Sequence, residues 1–317
     1  LVTGATGFVG RAVVDRLTAE GRAVRAAVRA ANARFVEGVE AVAVGGIGAA
    51  TDWRTAVSGI DAVVHLAARV HVTGDDARAG EDLFRAVNVD GATGLARAAR
   101  ETRVRRFVLA SSTTIYGDRS LGVPFAESSV PAPATPYARS KLDGERAVAE
   151  ALAGSETELV VLRPPLVYGP GAKGNFERLV RLVERGVPLP LASVRNRRSI
   201  LFLGNLVDAI VRAIDHPAAA GKTYNVADLR DVSTPELIAG IAAALRRRAR
   251  LLPWPVGMLR AAAALAGRSE ELSRLVDDMA VDASRMRADL GWAPPFTLAQ
   301  GLAQSIAGRG GGKGGSG

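Results

Sequence analysis

The chain has 317 residues and a mass of 32.9 kDa, enough to bury a large core, and 48% hydrophobic with 23% charged residues is an ordinary balance for an enzyme in water. It has no cysteine, which excludes disulfides, thiolate catalysis and thiolate metal sites, and with three histidines no metal centre is expected. The formal charge of +9 is dispersed, and its densest run, Arg246-Arg247-Arg248-Ala249-Arg250, has no interleaved aromatic rings for base stacking, so nucleic acid is not expected as a partner and the run reads as a solvated helix end.

Leu1 to Thr3 read as the end of a buried strand, and Gly4-Ala5-Thr6-Gly7-Phe8-Val9-Gly10 as the turn into a helix through Ala12, Val13, Val14 and Leu17 that Gly21 closes. Val24 to Val28 form a second strand and Asp61 to Leu66 a third. Arg106 to Ala110 and Leu159 to Leu162 supply later ones, with alanine-rich helices between. This alternation predicts an α/β fold, a Rossmann-like doubly wound parallel sheet of about seven strands. After Pro164-Pro165 the texture changes: Pro170, Gly171, Gly174, Pro188 and Pro190 punctuate loops around a helix from Phe176 to Arg185, which predicts a smaller mixed lobe. Asn205 to Asp215 read as a helix returning to the main domain and Thr223 to Val226 as a late strand. Ser233 followed by Glu236 is a capping-box helix start. The expected division is a first domain of residues 1–165 plus about 204–228, and a lobe of about 166–203 and 229–307. Residues 308–317, almost all glycine, read as a disordered tail.

Gly4, Gly7 and Gly10 follow a strand and open a helix, the order a nucleotide diphosphate requires: a tight turn, close approach of backbone to phosphate, and close packing of helix on strand. An NAD site also tends to end its second strand with a carboxylate for the adenosine ribose, but here Val28 is followed by Arg29. That arginine is either a partner for a 2′-phosphate, which points to NADP with NAD as the alternative, or a plain surface charge.

Tyr137 and Lys141 stand four apart, on one face of a helix, so the ammonium favours the phenolate; Ser112 precedes the tyrosine by 25 residues. A tyrosine with this partner suits proton transfer to or from a sugar hydroxyl coupled to hydride transfer at the same carbon.

With Gly4 to Gly10, these blocks resemble the extended short-chain dehydrogenase/reductase family, in the branch of nucleotide-sugar 4-epimerases, 4,6-dehydratases and 4-ketosugar reductases. The resemblance spans about residues 1–303 and rests further on His65-Leu66-Ala67-Ala68, Ser111 to Gly117, Tyr137 to Lys141 and Arg163 to Gly171. It implies Tyr137 as acid/base, Lys141 as the residue that lowers its pKa and holds the nicotinamide ribose, and Ser112 as hydrogen-bond partner of the reacting oxygen. The same resemblance implies cofactor contacts at Gly4, Thr6, Gly7, Phe8, Val9, Gly10, Arg29, Leu66, Ala67, Ala68, Asn88, Tyr137, Lys141 and Pro164. For the substrate it implies Ser112, Thr113, Asn175, Leu189, Leu191 and Arg198, the arginine on the diphosphate and the leucines flanking uracil. Asn88 either orders the helix and water near the site or bonds within its own helix, and His65 reads as a packed residue rather than a base. Thr113-Thr114 stand where dehydratases have Asp-Glu, and neither threonine supplies an acid/base pair, so 4,6-dehydration is not expected.

A cofactor held without a ribose carboxylate exchanges readily, which suits net reduction. The leading expectation is therefore NADPH-dependent reduction of a UDP-4-keto-6-deoxy-N-acetylhexosamine at C4 for polysaccharide synthesis. The alternatives are an NAD-dependent UDP-hexose or UDP-N-acetylhexosamine 4-epimerase and a non-catalytic nucleotide-sugar binder. A UDP-sugar partner, a homodimer through two helices, a cytoplasmic location and no transmembrane segment complete the expectations.

Overall fold

The computed structural model describes residues 1–30, 32–70 and 77–310, so residues 311–317 of the glycine-rich tail lie outside the described residues. Seven parallel strands form the main sheet in the order β3-β2-β1-β4-β5-β6-β9. They are β1 (Val2–Thr3), β2 (Val24–Val28), β3 (Val39–Ala43), β4 (Ala62–His65), β5 (Arg106–Ala110), β6 (Glu158–Arg163) and β9 (Thr223–Asn225). The register aligns Thr3 with Ala27 and His65, and His65 with Leu109, so Gly4, Leu66 and Ser111 leave the sheet along one rim. Strand order reverses between β1 and β4, where open α/β sheets form a crevice for ligands. The fold is the expected one; β3 was not anticipated, because an edge strand with most of its residues half-buried or exposed carries a weak apolar signal.

Each face of the sheet is covered because its strands are apolar on both sides. One face packs α1 (Phe8–Ala19) and α7 (Leu203–Asp215) into a core with Val2, Val64, Val108 and Leu162. The other face takes α2 (Arg54–Val57), then α3 (Ala77–Arg85) running into a π-helical stretch at Ala86–Gly91, then α4 (Ala92–Glu101) and α5 (Pro136–Leu152). Trp53, Leu95, Phe107 and Val148 are central there. Helix α5 starts where Thr135 caps the amide of Ala138 at 3.2 Å and Pro136 fixes the first turn.

The third core belongs to the lobe. A parallel pair, β7 (Leu166–Tyr168) and β8 (Ile200–Phe202), meets α6 (Asn175–Glu184), α8 (Thr234–Ala244), α9 (Val256–Leu265), α10 (Ser269–Val276) and α12 (Leu298–Gly310) around Phe176, Val180, Ile238 and Leu302. Ser233 and Glu236 form the expected capping box at the start of α8. The short α11 (Ser284–Leu290) returns to the first core through Met286 and Leu290.

Candidate active site

The glycine turn is built by contact with its own backbone. Gly4 has a φ of +64°, and the Gly7 amide donates to its carbonyl at 2.8 Å. A Cβ at Gly10 would lie 2.1 Å from the Gly4 oxygen, so only glycine lets α1 pack this closely on the turn. Thr6 and Gly7 are exposed at the tip, while Phe8 and Val9 are half-buried in the first turn of α1, whose N-terminus has no side-chain cap. Its unpaired amides and the helix dipole are free for an anion, and the backbone cradle fits a dinucleotide diphosphate.

Next to it, the Thr3 hydroxyl accepts the amides of Leu66 and Ala67, both at 3.2 Å, and lies 2.8 Å from His65 Nδ1. With its lone pairs so used, the hydroxyl donates to Nδ1, leaving the imidazole neutral. Burial, with Lys141 adding to it, pushes the His65 pKa down to about 3, so this histidine orients the strand end and takes no proton at neutral pH. Leu66, Ala67 and Ala68 are half-buried along the rim.

Tyr137 and Lys141 lie one turn apart on α5, and Ser112 heads the 3-10 helix Thr113–Tyr116 just beyond β5. Burial raises the Tyr137 pKa, partly offset by the Ser112 hydroxyl beside it. Ser112 Oγ accepts from the Thr114 amide at 3.2 Å and its hydroxyl at 2.9 Å. Lys141 is buried, its Nζ donating to the Ala110 carbonyl at 2.6 Å, and desolvation lowers its pKa to about 8, opposed by Glu145. Asn88, within the π-helical turn, accepts the Arg69 amide at 2.8 Å and donates to the Arg69 carbonyl at 3.0 Å and to Ser140 Oγ at 2.9 Å. Ser140 in turn donates to the Tyr137 carbonyl at 2.8 Å. Asn88 thus ties the loop after β4 to the tyrosine's own helix. A π-turn inserts one extra residue and is frequent at functional sites.

Sequence reasoning assigned no role to a buried polar chain behind these residues. Glu145 pairs with Arg163 (Nη2 to Oε2 2.6 Å), and Arg163 Nη1 donates to the Tyr116 hydroxyl at 2.8 Å. Tyr116 donates to Asn225 Oδ1 at 2.9 Å, and the Asn225 amide nitrogen reaches the carbonyls of Phe125 and Asp282. The chain joins α5, the 3-10 helix that Ser112 caps, and the ends of β6 and β9. Its signals were a glutamate four residues after Lys141 and an arginine ending an apolar strand, neither of which names its partner.

Among the residues expected to meet the substrate, Thr113 donates its amide to the Pro164 carbonyl at 3.0 Å, which sets it beside the rim. Asn175 is exposed at the start of α6. Leu189 is half-buried, and its amide and carbonyl are used by Arg250 and Leu252; Leu191 is buried in the lobe core. Arg198 is half-buried and donates to the Asp277 carbonyl at 3.1 Å. Among the described residues it has no direct ion pair, and burial lowers its pKa, opposed by the charges of Asp277 and Asp278. Arg29 follows the end of β2 and is exposed.

The profile of the NAD dependent epimerase/dehydratase family matches residues 1–227. The chain is 39% identical to a UDP-glucose 4-epimerase of Vibrio cholerae over 312 residues, 96% of this chain and 93% of that one. Among solved structures, MoeE5 in complex with UDP-glucose and NAD is similar with a TM-score of 0.76, 25% identity and 97% of each chain covered. A short-chain dehydrogenase/reductase superfamily protein from Agrobacterium tumefaciens with bound NAD has a TM-score of 0.75, 26% identity and coverage of 98% of this chain and 96% of that one.

These findings overturn two expectations. The two related structures hold NAD, not NADP, and the Vibrio cholerae relative is a UDP-glucose 4-epimerase, not an NADPH-dependent reductase of a 4-keto sugar. The physical error was to take a missing carboxylate for a bound phosphate. The absence of a carboxylate after β2 does not imply a bound phosphate, and an exposed arginine such as Arg29 is not by itself a phosphate site. The fold, the glycine cradle and the family match together make this chain a member of the NAD-dependent epimerase/dehydratase family, an NAD(P)-dependent oxidoreductase or epimerase.

Proposed function

We propose that the protein is an NAD-dependent 4-epimerase of a UDP-hexose or UDP-N-acetylhexosamine. The observation that carries this reading is the gathering of Ser112, Tyr137 and Lys141 at the sheet rim beside the glycine turn, with Thr113 and Thr114 where a dehydratase needs a second acid/base pair. Tyr137 removes the proton of the sugar's 4-hydroxyl and later returns one to the 4-keto oxygen. Ser112 hydrogen-bonds that oxygen, and the Lys141 ammonium favours the phenolate. Bound NAD supplies hydride transfer at C4, held at the cradle of Gly4, Gly7 and Gly10. Arg198 and the start of α6 at Asn175 take the diphosphate, for which a guanidinium offers a planar fork of donors. Residues 1–165 with about 204–228 hold the cofactor, and the lobe of about 166–203 and 229–307 holds the sugar nucleotide. We further assign a homodimer through the helices of residues 88–100 and 137–153, and a cytoplasmic location in keeping with a nucleotide-sugar substrate.

The test is incubation of the purified protein with UDP-glucose, and separately with UDP-N-acetylglucosamine, with NAD and no reductant. One of the two C4 epimers should appear, and Tyr137→Phe should lower turnover at least about 100-fold, the loss of one general acid/base. Absence of either epimer, or full activity of Tyr137→Phe, would sink the reading.

A further inference from the structure

The lobe carries an apolar surface that nothing in the described structure covers. From Leu252 to Leu265 the chain exposes Leu252 (44%), Trp254 (46%), Met258 (57%) and Leu265 (92%), together with Pro253, Pro255 and several alanines of α9, while Leu259 alone turns fully into the core. Exposed apolar side chains scattered singly are normal; a run of this density, with a tryptophan between two prolines, marks an interaction surface.

Its charge surroundings identify the partner. Arg246, Arg247, Arg248 and Arg250, immediately upstream, are exposed, and among the described residues none forms an ion pair. The other nearby arginines are neutralised, Arg260 by Asp277 at 2.5 Å and Arg268 by Glu271 at 2.5 Å. The unspent charge is therefore positive and adjoins the apolar run. A second copy would add its own four arginines to the contact, so the excess positive charge would double rather than be met. A surface that is anionic at its outer layer and apolar beneath it satisfies both parts. No helix among the described residues is long and apolar enough to cross a membrane, so the contact is one of lying on the surface.

We propose that the segment from Arg246 to Leu265 docks the enzyme on an anionic lipid bilayer, with Trp254, Met258 and Leu265 entering the headgroup layer and the four arginines pairing with lipid phosphates. The backbone continues from this surface to the substrate side of the lobe. The Leu189 amide donates to the Arg250 carbonyl and the Leu252 amide to the Leu189 carbonyl, both at 2.8 Å, and the Ala192 amide to the Leu252 carbonyl at 3.1 Å. Docking thus sets the wall of the sugar-nucleotide side against the membrane surface. The inference stands whether or not UDP-sugars are the substrate.

The chain contains its own reporter. Of its three tryptophans, Trp53 and Trp292 are buried at 2% and 5% exposure, so a vesicle-induced blue shift of fluorescence comes from Trp254. The full-length protein should blue-shift and float with vesicles of phosphatidylcholine and phosphatidylglycerol at about three to one, and do neither with phosphatidylcholine alone. Trp254→Ser/Met258→Ser/Leu265→Ser, all at exposed positions, should weaken flotation at least about tenfold while leaving turnover of free substrate unchanged. Arg246→Gln/Arg247→Gln/Arg248→Gln should weaken it by about tenfold or more and abolish its sensitivity to salt. No shift and no flotation overturns the proposal. So does undiminished flotation of the serine variant, or its conversion from dimer to monomer in sedimentation, which would make the surface a subunit contact.

Discussion

Glu145 and Arg163 form an ion pair almost wholly out of water, with side chains 8% and 11% exposed and Nη2 2.6 Å from Oε2. Glu145→Gln leaves a buried guanidinium without its charge partner, a change that costs about 3–5 kcal/mol. Because Glu145 also raises the pKa of Lys141, its removal pushes that lysine further below about 8. Urea unfolding should show the loss, and the alkaline limb of the pH–rate profile should move to lower pH. Tyr116→Phe keeps the ion pair and removes two hydrogen bonds, so its cost should be about 1–3 kcal/mol with the pH profile unmoved. Equal effects of the two variants would refute this division of roles.

Lys141 is costly to the fold. Its folded-state pKa of about 8 lies below the ordinary 10.5, so the unfolded chain holds the proton more tightly. The penalty is complete below about pH 8 and disappears as the pH rises towards 10.5, and it reaches about 3 kcal/mol. Lys141→Met should therefore be inactive yet more stable at neutral pH, its gain reduced by the lost bond to the Ala110 carbonyl. Calorimetric melting at pH 7 of an inactive variant that melts below the parent would contradict this.

His65 shapes the acid side in the same way. Its pKa of about 3 against an ordinary 6.5 means that the unfolded state takes up a proton the folded state refuses, so stability falls as the pH drops from 6.5 towards 3. His65→Asn retains an acceptor for the Thr3 hydroxyl and has no charge to gain. Urea midpoints measured from pH 7 to 4 should fall less steeply for the variant than for the parent.

At Gly144, α5 touches the π-helical turn so closely that a Cβ would lie 2.3 Å from the Asn88 carbonyl oxygen. Gly144→Ala must push the two apart and disturb the Asn88–Ser140 bond, with a stability loss of about 1–3 kcal/mol and a fall in kcat larger than any change in KM. Gly94, in α4, is the control: a Cβ there meets Trp53 at an ordinary 3.6 Å. Gly94→Ala should stabilise the protein by about 0.4–1 kcal/mol, and both values come from one set of denaturant curves.

Arg29→Ala should change NAD affinity by less than about threefold, because an exposed guanidinium in water contributes little to a contact. Titration calorimetry with NAD measures it, and a tenfold loss would restore the residue to the cofactor site.

What could be read in the sequence was what local pattern carries. Val24 to Val28 and Arg106 to Ala110 are strands to the residue, and Ser233 with Glu236 builds its capping box, because alternation, burial and capping act over a few positions. The parallel pair β7 and β8 was not legible, since three-residue strands far apart in the chain leave no periodic trace. Nor was the π-turn at Asn88, whose extra residue changes no side-chain type. Tyr137 and Lys141 were legible from their four-residue spacing on one helix face, with Ser112 before them, and the resemblance added their roles, whereas the pairing of Glu145 with Arg163, and of Tyr116 with Asn225, depends on which helix meets which strand. Arg29 was read with a 2′-phosphate, whereas the related structures hold NAD, because one residue type at a strand end does not distinguish the two cofactors.

The sheet order has a consequence for synthesis. Strand β9 completes the sheet beside β6, yet residues 164–222 are made between them. Until Thr223 has left the ribosome, β6 is an open edge of apolar backbone carrying Val160, Val161 and Leu162, a template for pairing with other chains. Residues 1–163 therefore cannot complete the main sheet on their own. A chain that stops within the intervening stretch will aggregate rather than persist as a small soluble domain, and slowing translation there lengthens the exposure.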